Sequence, residues 1–348
     1  MQETKERPLS AALLRGLLLA LALAVLALTL TPRAAAADQK PRMVIPLGQA
    51  VGIKLFSQGV LVVGLTDIAT DQGLASPAKA CGIRTGDVIT HINDAQVSSI
   101  EEVQTILQDL NGQEMELNVL RAEEELELTT RAAQCSADGA YKLGAWIRDS
   151  MAGIGTLTFV EPATGLFGTL GHGINDVDTA VLMKLQTGAI TPAKVVGIVK
   201  GQEGRPGELR GAFTSQEDLG QLFANTPQGV FGHLTQGDLF SGQAIPTATP
   251  EEVQEGKATI LSTVDGTQAE AYTVEITKVC HNASDTRDLM LKVTDQRLLE
   301  KTGGIVQGMS GSPIIQNGKL VGAVTHVLVN DPTRGYGIFI ENMLEAAS

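Results

Sequence analysis

Two glycine-flanked side chains, Ser310 and His172, are the residues in this chain best suited to covalent chemistry. Ser310 stands in the hexapeptide Gly-Met-Ser-Gly-Ser-Pro, which begins at Gly308. A nucleophilic serine must lie on a tight turn whose backbone N–H groups converge on the developing oxyanion, and glycines permit such a turn. The sequence therefore predicts Ser310 as a nucleophile, with the N–H groups of Gly308 and Ser310 as the oxyanion hole. The hexapeptide alone also fits an ordinary Gly/Ser turn that leads into a strand.

His172 lies between Gly171 and Gly173. Glycine on both sides lets the backbone approach its neighbours closely and leaves the imidazole accessible, as a general base near pH 7 requires. We therefore expect His172 to accept the Ser310 hydroxyl proton, although a single histidine at a turn can equally be structural. The other histidines lie in strand-like or motif contexts and are interpreted as structural residues: His91, His233, His281 and His326.

The elements that must position these two residues are predicted to be β-strands. In the C-terminal part of the chain, short apolar runs such as ATILSTV and YTVEITKV are separated by Gly, Pro, Asp and Thr. This pattern is typical of strands of about five residues. Long amphipathic helices are scarce there, so the sequence predicts an all-β domain of about 200 residues, built as two barrels or a sandwich.

The preceding residues, from Val44 to about Thr130, predict a small α+β unit. The segments MELNVL and LEL alternate apolar and polar residues on either side of an acidic turn, which indicates a β-hairpin. Ser98 and Ser99, with Glu101 and Glu102, match a capping box, and apolar residues follow at helical spacing as far as Leu110. We therefore expect a helix directly before the hairpin.

Two segments of this unit resemble a PDZ domain. The stretch ACGIRTGDVITHIND, residues 80–94, is similar to the family's signature, and GQAVGIKL, residues 48–55, resembles the loop that binds a peptide carboxylate. In PDZ domains an extended peptide adds to the edge of a strand. The resemblance implies a peptide groove beside the predicted helix, lined by Gly48, Gln49, Ala50, Val51, Gly52 and Ile53. A PDZ-shaped spacer with a closed groove is the alternative.

Composition limits the partners and the compartment. The 348 residues carry a formal net charge of −13, which argues against a nucleic-acid partner because phosphate contacts need clustered Lys and Arg. An uncharged apolar run, Gly16 to Thr31, follows basic residues and precedes small alanines, so we expect an export segment that is either cleaved or kept as an anchor. Cys81, Cys135 and Cys280 fit neither a zinc site nor a disulfide framework and are interpreted as core residues, with one bridging pair left open. We expect no metal and no cofactor.

Longer blocks of the sequence resemble known peptidases. The hexapeptide around Ser310 is similar to the Gly-Asp-Ser-Gly-Gly-Pro loop of chymotrypsin-like peptidases, with Met309 and Ser312 replacing two of its residues. The N-terminal apolar segment, the PDZ-like unit, the block TFVEPATGLFGTLGHGINDVDT and the block from VTDQRLLEK to IENML together resemble the SpoIVB peptidases of endospore-forming bacteria. This resemblance covers essentially the whole chain.

The resemblance implies a serine endopeptidase with a chymotrypsin-like double barrel, exported from the forespore into the space between the two membranes of a sporulating cell. There it is expected to cleave itself and a membrane-bound regulator of an intramembrane protease, which then activates the late mother-cell sigma factor. The resemblance also implies that Asp295 orients His172. Asp295 precedes Ser310 by only 15 residues and stands before a short predicted helix, where it can instead act as an N-cap. Asp176 and Asp178 are the other candidates for the acid.

The predicted organisation is multidomain. It has an export segment or anchor over residues 1–37, a small α+β PDZ domain over 38–130, a linker over 131–141, and an all-β peptidase domain over 142–348. The sequence also allows a second function, a non-catalytic PDZ-containing binding or scaffold protein of the intermembrane space. The presence of His172, Ser310 and their glycine turns argues against that alternative.

Overall fold

The computed structural model describes residues 41–215, 217–235, 241–281 and 286–348. The predicted export segment, Gly16 to Thr31, lies outside these residues. Among the described residues, no helix combines the length and the apolar character needed to cross a bilayer. Residues from Arg42 to Ser348 belong to one folding unit.

One long strand, β1 (Met43–Leu65), serves both halves of this unit. With 23 residues it is far longer than a typical strand of about five or six. Its first part pairs with strands of the all-β region, whereas Val60 and Leu61 pair with the α+β part. The register shifts between Phe56 and Leu61, and a bulge of this kind bends a strand. Residues at the start of the predicted PDZ domain therefore contribute a strand to the all-β region.

The α+β module contains the predicted helix and hairpin. Helix α2 (Ile100–Leu110) begins with the predicted capping box, because the Ser99 hydroxyl accepts the Glu102 N–H at 3.2 Å and the Glu102 carboxylate accepts the Ser99 N–H at 3.1 Å. The hairpin consists of β6 (Glu114–Arg121) and β7 (Glu124–Arg131). The remaining elements of the module are short: β2 (Ile68–Thr70), β3 (Gly73–Ala75), α1 (Pro77–Cys81), β4 (Val88–Ile92), β5 (Ala95–Gln96), β8 (Ala133–Gln134) and β9 (Tyr141–Lys142).

The first barrel closes through β1. Six strands pair in the cyclic order β1, β10, β11, β15, β14, β12 and back to β1, and each pairing is antiparallel. The bounds of the added strands are β10 (Ala145–Val160), β11 (Leu166–Thr169), β12 (Leu185–Val199), β14 (Gly220–Thr226) and β15 (Gly229–Leu234). Two further strands lie against the barrel, β13 (Glu208–Phe213) on β12 and β16 (Ile245–Pro246) on β1.

The second barrel is a separate closed set of six strands in the order β17, β18, β19, β22, β21, β20. Their bounds are β17 (Gly256–Ser262), β18 (Glu270–Val279), β19 (Leu289–Val293), β20 (Pro313–Gln316), β21 (Lys319–Leu328) and β22 (Asp331–Phe339). A 3₁₀ turn (Pro250–Glu252), helix α3 (Gln296–Thr302) and helix α4 (Ile340–Ala346) flank it. Its interior is mostly aliphatic, with Ile260, Val274 and Leu291 fully buried, and it also holds the ring of Tyr272.

The mostly β architecture and the two barrels agree with the sequence prediction. The three cysteines are free, with Cys135 buried and the other two half-buried, so none of them forms a disulfide. Each barrel contributes one of the two predicted chemical residues. His172 follows β11 of the first barrel, and Ser310 precedes β20 of the second.

Candidate functional site

Ser310 lies in the turn formed by residues 305–312, which we call the serine turn. Gly308 and Gly311 both have φ of +95°, a backbone conformation that glycine adopts readily and other residues rarely adopt. At Gly311 the close approach matters as well, because a Cβ would lie 2.2 Å from the carbonyl oxygen of Thr156 and 2.6 Å from the nitrogen of Leu170. The serine turn therefore packs directly on the backbone that leads to His172.

The carbonyl groups from Gln307 to Ser310 are all engaged in hydrogen bonds. Each accepts a hydrogen bond: Gln307 from the Leu209 N–H at 2.8 Å, Gly308 from the Thr156 hydroxyl at 2.8 Å, Met309 from the Ser312 N–H at 3.0 Å, and Ser310 from the Thr156 N–H at 3.2 Å. The N–H groups of Gly308 and Ser310, in contrast, donate to no acceptor among the described residues. Unpaired donors on a turn whose carbonyls are held elsewhere are available to bind a negatively charged oxygen. These are the two N–H groups that the sequence predicts as the oxyanion hole.

His172 is half-buried in the turn that follows β11. Its Nδ1 lies 2.9 Å from the carbonyl oxygen of Gly173. A carbonyl only accepts, so Nδ1 carries the proton and Nε2 is left as the acceptor, which is the tautomer a general base needs. Burial lowers the pKa of His172 below its ordinary value, and this keeps the ring neutral near pH 7. The Asn225 side chain steadies the next residues, since it accepts from the Ile174 N–H at 2.8 Å and donates to the Ile174 carbonyl at 3.0 Å.

The two turns open onto one cleft. His172, Gly308 and Ser310 line the same cavity of about 710 Å³, together with apolar side chains that include Ile154 and Val306. A second cavity of about 860 Å³ continues on the other side of His172 and reaches helix α4. Ser310 Oγ donates to the Thr325 carbonyl at 2.7 Å, so in this resting arrangement its proton points away from the imidazole. The hydroxyl must release the Thr325 carbonyl before it can donate its proton to another acceptor.

The structure does not bring Asp295 to His172. Asp295 is the N-cap of helix α3: its carboxylate accepts the Arg297 N–H at 3.0 Å and the Thr273 N–H at 3.2 Å, and it pairs with the Arg297 guanidinium. The hydrogen bonds from Arg297 lower the pKa of this carboxyl. Asp295 lines neither cavity that contains His172. Its predicted role as the acid of a triad is therefore replaced by the capping role.

The two alternative acids are also committed elsewhere. Asp176 is buried and forms an ion pair with Arg148, which also contacts Asp178 at 2.8 Å. Burial opposes ionisation of Asp176, but the hydrogen bonds from Thr179 and Arg148 outweigh it and hold its pKa below the ordinary value. Among the described residues, no carboxylate is hydrogen-bonded to His172. Nδ1 of His172 is therefore bonded to a main-chain carbonyl rather than to the carboxylate that a Ser-His-Asp triad has at this place.

His326 is a residue at the site that the sequence reasoning interpreted as structural. Its ring centroid lies 5.1 Å from that of His172, with the planes inclined by 36°, and both rings line both cavities. It directly follows Thr325, whose carbonyl holds Ser310 Oγ. The signal in the sequence that could have indicated His326 is its position in the strand that follows the serine motif.

The predicted PDZ groove is placed differently by the structure. Residues Val51, Gly52 and Ile53 pair with β10 on one edge and with β12 on the other. Of the other predicted groove residues, Gln49 also pairs with β10, and Gly48 and Ala50 are hydrogen-bonded to Thr263. These six residues offer no open strand edge, so this predicted groove position is wrong.

Farther along β1, the chain itself pairs with the strand edge near helix α2. Residues Leu61–Leu65 pair antiparallel with the start of β10, in the register Leu61 with Arg148 and Leu65 with Ala145. The Asp149 carboxylate accepts the Ile100 N–H at 3.0 Å at the first turn of α2. The start of β10 thus lies between a strand edge and a helix, which is the position of a peptide in a PDZ complex.

The described residues combine two six-stranded barrels, a cleft shared by the turns of Ser310 and His172, and an α+β module. The chain belongs to the SpoIVB peptidase family: the family model SpoIVB peptidase S55 matches residues 139–344, and a PDZ domain model matches residues 69–121. The family predicted from the sequence is therefore confirmed.

Individual relatives are more distant. The zinc metalloprotease RasP of Shouchella clausii (strain KSM-K16) is 32% identical over 152 residues, which are 41% of this chain and 35% of that protein. The chain thus spans about a third of the length of that relative. Among solved structures, the active form of the Rv3671c protease from M. tuberculosis has a TM-score of 0.31 at 15% identity, over 58% of this chain and 75% of the other. A serine-to-alanine inactive form of it has a TM-score of 0.30 at 15% identity, over 56% and 80%.

Proposed function

We propose that Ser310 and His172 are the catalytic pair of this endopeptidase and that the N–H groups of Gly308 and Ser310 bind the oxyanion. The observation that carries this proposal is the serine turn. Every carbonyl from Gln307 to Ser310 accepts a hydrogen bond, whereas the N–H groups of Gly308 and Ser310 have no acceptor among the described residues, and both residues line the cleft that His172 also lines. Donors placed in advance at a developing negative charge stabilise the transition state without reorganisation.

The reaction begins with rotation of the Ser310 hydroxyl from the Thr325 carbonyl towards His172. Nε2 of His172 accepts the proton as Oγ attacks the scissile carbonyl carbon, and the two N–H groups stabilise the tetrahedral oxyanion. His172 then protonates the leaving amine, and water hydrolyses the acyl-enzyme with His172 again as the base. The Gly173 carbonyl holds Nδ1–H throughout and stabilises the imidazolium. No cofactor takes part in this scheme.

The biological role that we propose comes from the family. It is an exported enzyme of the forespore intermembrane space, and its N-terminal segment is either cleaved or kept as an anchor. The enzyme processes itself and cleaves a membrane-bound regulator of an intramembrane protease. Membership of the SpoIVB peptidase family supports this role. The role requires peptidase activity, and the two barrels, with His172 after a strand of the first and Ser310 before a strand of the second, are compatible with that activity.

The first experiment is labelling of the purified chain with a fluorophosphonate, which reacts only with an activated serine. Ser310→Ala should abolish labelling and His172→Gln should reduce it by several orders of magnitude. Ser312→Ala is the matched control, because Ser312 lies in the same turn but is fully buried and its hydroxyl contacts Ser262 at 3.0 Å. Full labelling of Ser310→Ala would contradict the assignment of the nucleophile, and absence of labelling in the unaltered chain would favour the non-catalytic alternative.

A second experiment separates the chemistry from the biological role. Unaltered enzyme and Ser310→Ala are each incubated with the membrane-bound regulator in detergent micelles, and fragments are identified by mass spectrometry. Fragments that depend on Ser310 support the proposed substrate. A chain that labels with fluorophosphonate but leaves the regulator intact would retain its assignment as a peptidase and lose this role.

A further inference from the structure

A single residue of the first barrel, Thr156 on β10, is bonded to both halves of the site. Its hydroxyl donates to the Gly308 carbonyl at 2.8 Å and its N–H donates to the Ser310 carbonyl at 3.2 Å. Its own carbonyl accepts the Thr169 hydroxyl at 2.6 Å, immediately before the turn that carries His172. The residue is 1% exposed, so these bonds are shielded from water.

We propose that Thr156 is a positioning residue, whose hydroxyl keeps the oxyanion hole formed by holding the Gly308 carbonyl out of the cleft. Gly308 has a φ of +95° and, as glycine, also populates other backbone conformations without a steric penalty. Without the hydroxyl, the Gly308 carbonyl is free to turn into the cleft, where its partial negative charge opposes the oxyanion. This proposal rests on the proposed roles of Ser310 and His172.

Substitution of Thr156 can remove its hydroxyl group while the hydrogen bonds of its main chain remain. The bond from the Thr156 N–H to Ser310 belongs to the main chain and survives any side-chain change. Thr156→Val removes only the hydrogen-bonding group while keeping the branched shape. Thr156→Ser keeps the hydroxyl and loses a methyl group, so it should restore the function that the valine variant lacks.

The same strand provides a matched control. Thr158 lies two residues farther on, is fully buried, and its hydroxyl has no hydrogen-bond partner among the described residues. Thr158→Val is the same chemical change on the same strand, yet it breaks no bond to the serine turn. Any effect that arises merely from replacing a buried threonine of β10 should appear in both valine variants.

The expected effect falls on kcat, because the oxyanion develops only in the transition state. Loss of a whole oxyanion donor lowers kcat by about 10²–10³. The Thr156 hydroxyl holds the Gly308–Met309 peptide, which lies between the two peptides that carry the donors. Its loss should therefore have a smaller effect, and we expect about a 10- to 100-fold fall in kcat for Thr156→Val with KM nearly unchanged.

The test uses p-nitrophenyl acetate hydrolysis for kcat and KM, and inhibition by phenylboronic acid, whose serine adduct places an oxygen in the oxyanion hole. The proposal is supported if Thr156→Val has a lower kcat and a weaker boronate affinity, if Thr156→Ser recovers both, and if Thr158→Val leaves both unchanged. The melting temperature of Thr156→Val must also stay well above the assay temperature, so that unfolding does not explain the loss. If Thr156→Val fails to fold, Thr156→Cys, a weaker donor, must show the same fall in kcat and boronate affinity.

The proposal is overturned if a folded Thr156→Val or Thr156→Cys keeps the unaltered kcat, if Thr156→Ser is as impaired as Thr156→Val, or if Thr158→Val shows the same loss. Ser310→Ala, measured in parallel, reports on the proposed function itself. An acyl-enzyme releases a rapid first burst of p-nitrophenol. If Ser310→Ala keeps this burst, Ser310 is not the nucleophile. If Ser310→Ala loses the burst while Thr156→Val is fully active, only the role of Thr156 is refuted.

Discussion

The role of Asp295 gives the sharpest prediction, because a triad acid and a helix cap respond very differently to substitution. Replacing the acid of a Ser-His-Asp triad by asparagine lowers kcat by about 10⁴. An asparagine at an N-cap, in contrast, still accepts the first N–H of the helix and is among the preferred residues there. The structure places Asp295 at the cap of α3, so we expect Asp295→Asn to react with fluorophosphonate at a rate within about threefold of the unaltered chain.

The stability cost of removing the side chain follows from its contacts. Asp295→Ala removes the acceptor of the Arg297 N–H, worth about 1 kcal/mol for an N-cap, and that of the Thr273 N–H, worth about 1 kcal/mol more. The free energy of unfolding should therefore fall by about 2 kcal/mol, and Tm by about 3 °C for a folding unit that extends from Arg42 to Ser348. Labelling at 25 °C should stay near normal, because the remaining stability of a domain of this size keeps the chain folded.

Ser99→Ala is the control for this measurement. Ser99 caps α2 in the PDZ module, so its loss should cost about 1 kcal/mol and leave the labelling rate unchanged. Thermal unfolding and labelling kinetics are measured on the same samples. A fall of 10³-fold or more in the labelling rate of Asp295→Asn, with Tm unchanged, would refute the capping interpretation and restore Asp295 as the acid.

Three further outcomes follow from the structure. Because burial lowers the pKa of His172, activity should persist below pH 6.5 and fall only as the pH drops through the lowered pKa. The unfolded chain binds this proton more readily, so the free energy of unfolding should also decrease as the pH falls below 6.5. A pH–rate profile whose acidic midpoint lies above pH 6.5 would contradict this. Gly311→Ala should abolish labelling, because its Cβ would lie 2.2 Å from the Thr156 carbonyl oxygen. Gly318→Ala is the control: this residue also has a positive φ, +75°, but open space surrounds it, so the substitution should lower Tm only slightly. Asp149→Ala removes the acceptor of the Ile100 N–H and should lower the free energy of unfolding, measured by urea titration, by about 1 kcal/mol while the labelling rate stays unchanged. A lower labelling rate would show instead that β10 transmits the change to the cleft.

Local features were predictable because they depend on neighbours in the sequence. The capping box of α2 and the hairpin of β6 and β7 use residues a few positions apart, and both are present as expected. The glycines around Ser310 are also local signals, since Gly308 and Gly311 adopt the positive φ that the turn needs. Asp295 shows where such reasoning ends, because one position fits both a helix cap and a catalytic acid until its spatial neighbours are known.

The sequence by itself determined the family, the division into a PDZ module and a β-rich peptidase, and the two glycine turns that carry Ser310 and His172. The tertiary structure decided which groups surround them: Thr156 donates to Gly308 across 152 positions of sequence, and β1 closes a barrel at the place where a peptide groove was expected. The physical reason is that a turn or cap is selected by backbone preferences over a few residues. Strand pairing and carboxylate partners, however, depend on which distant segments the folded core brings together.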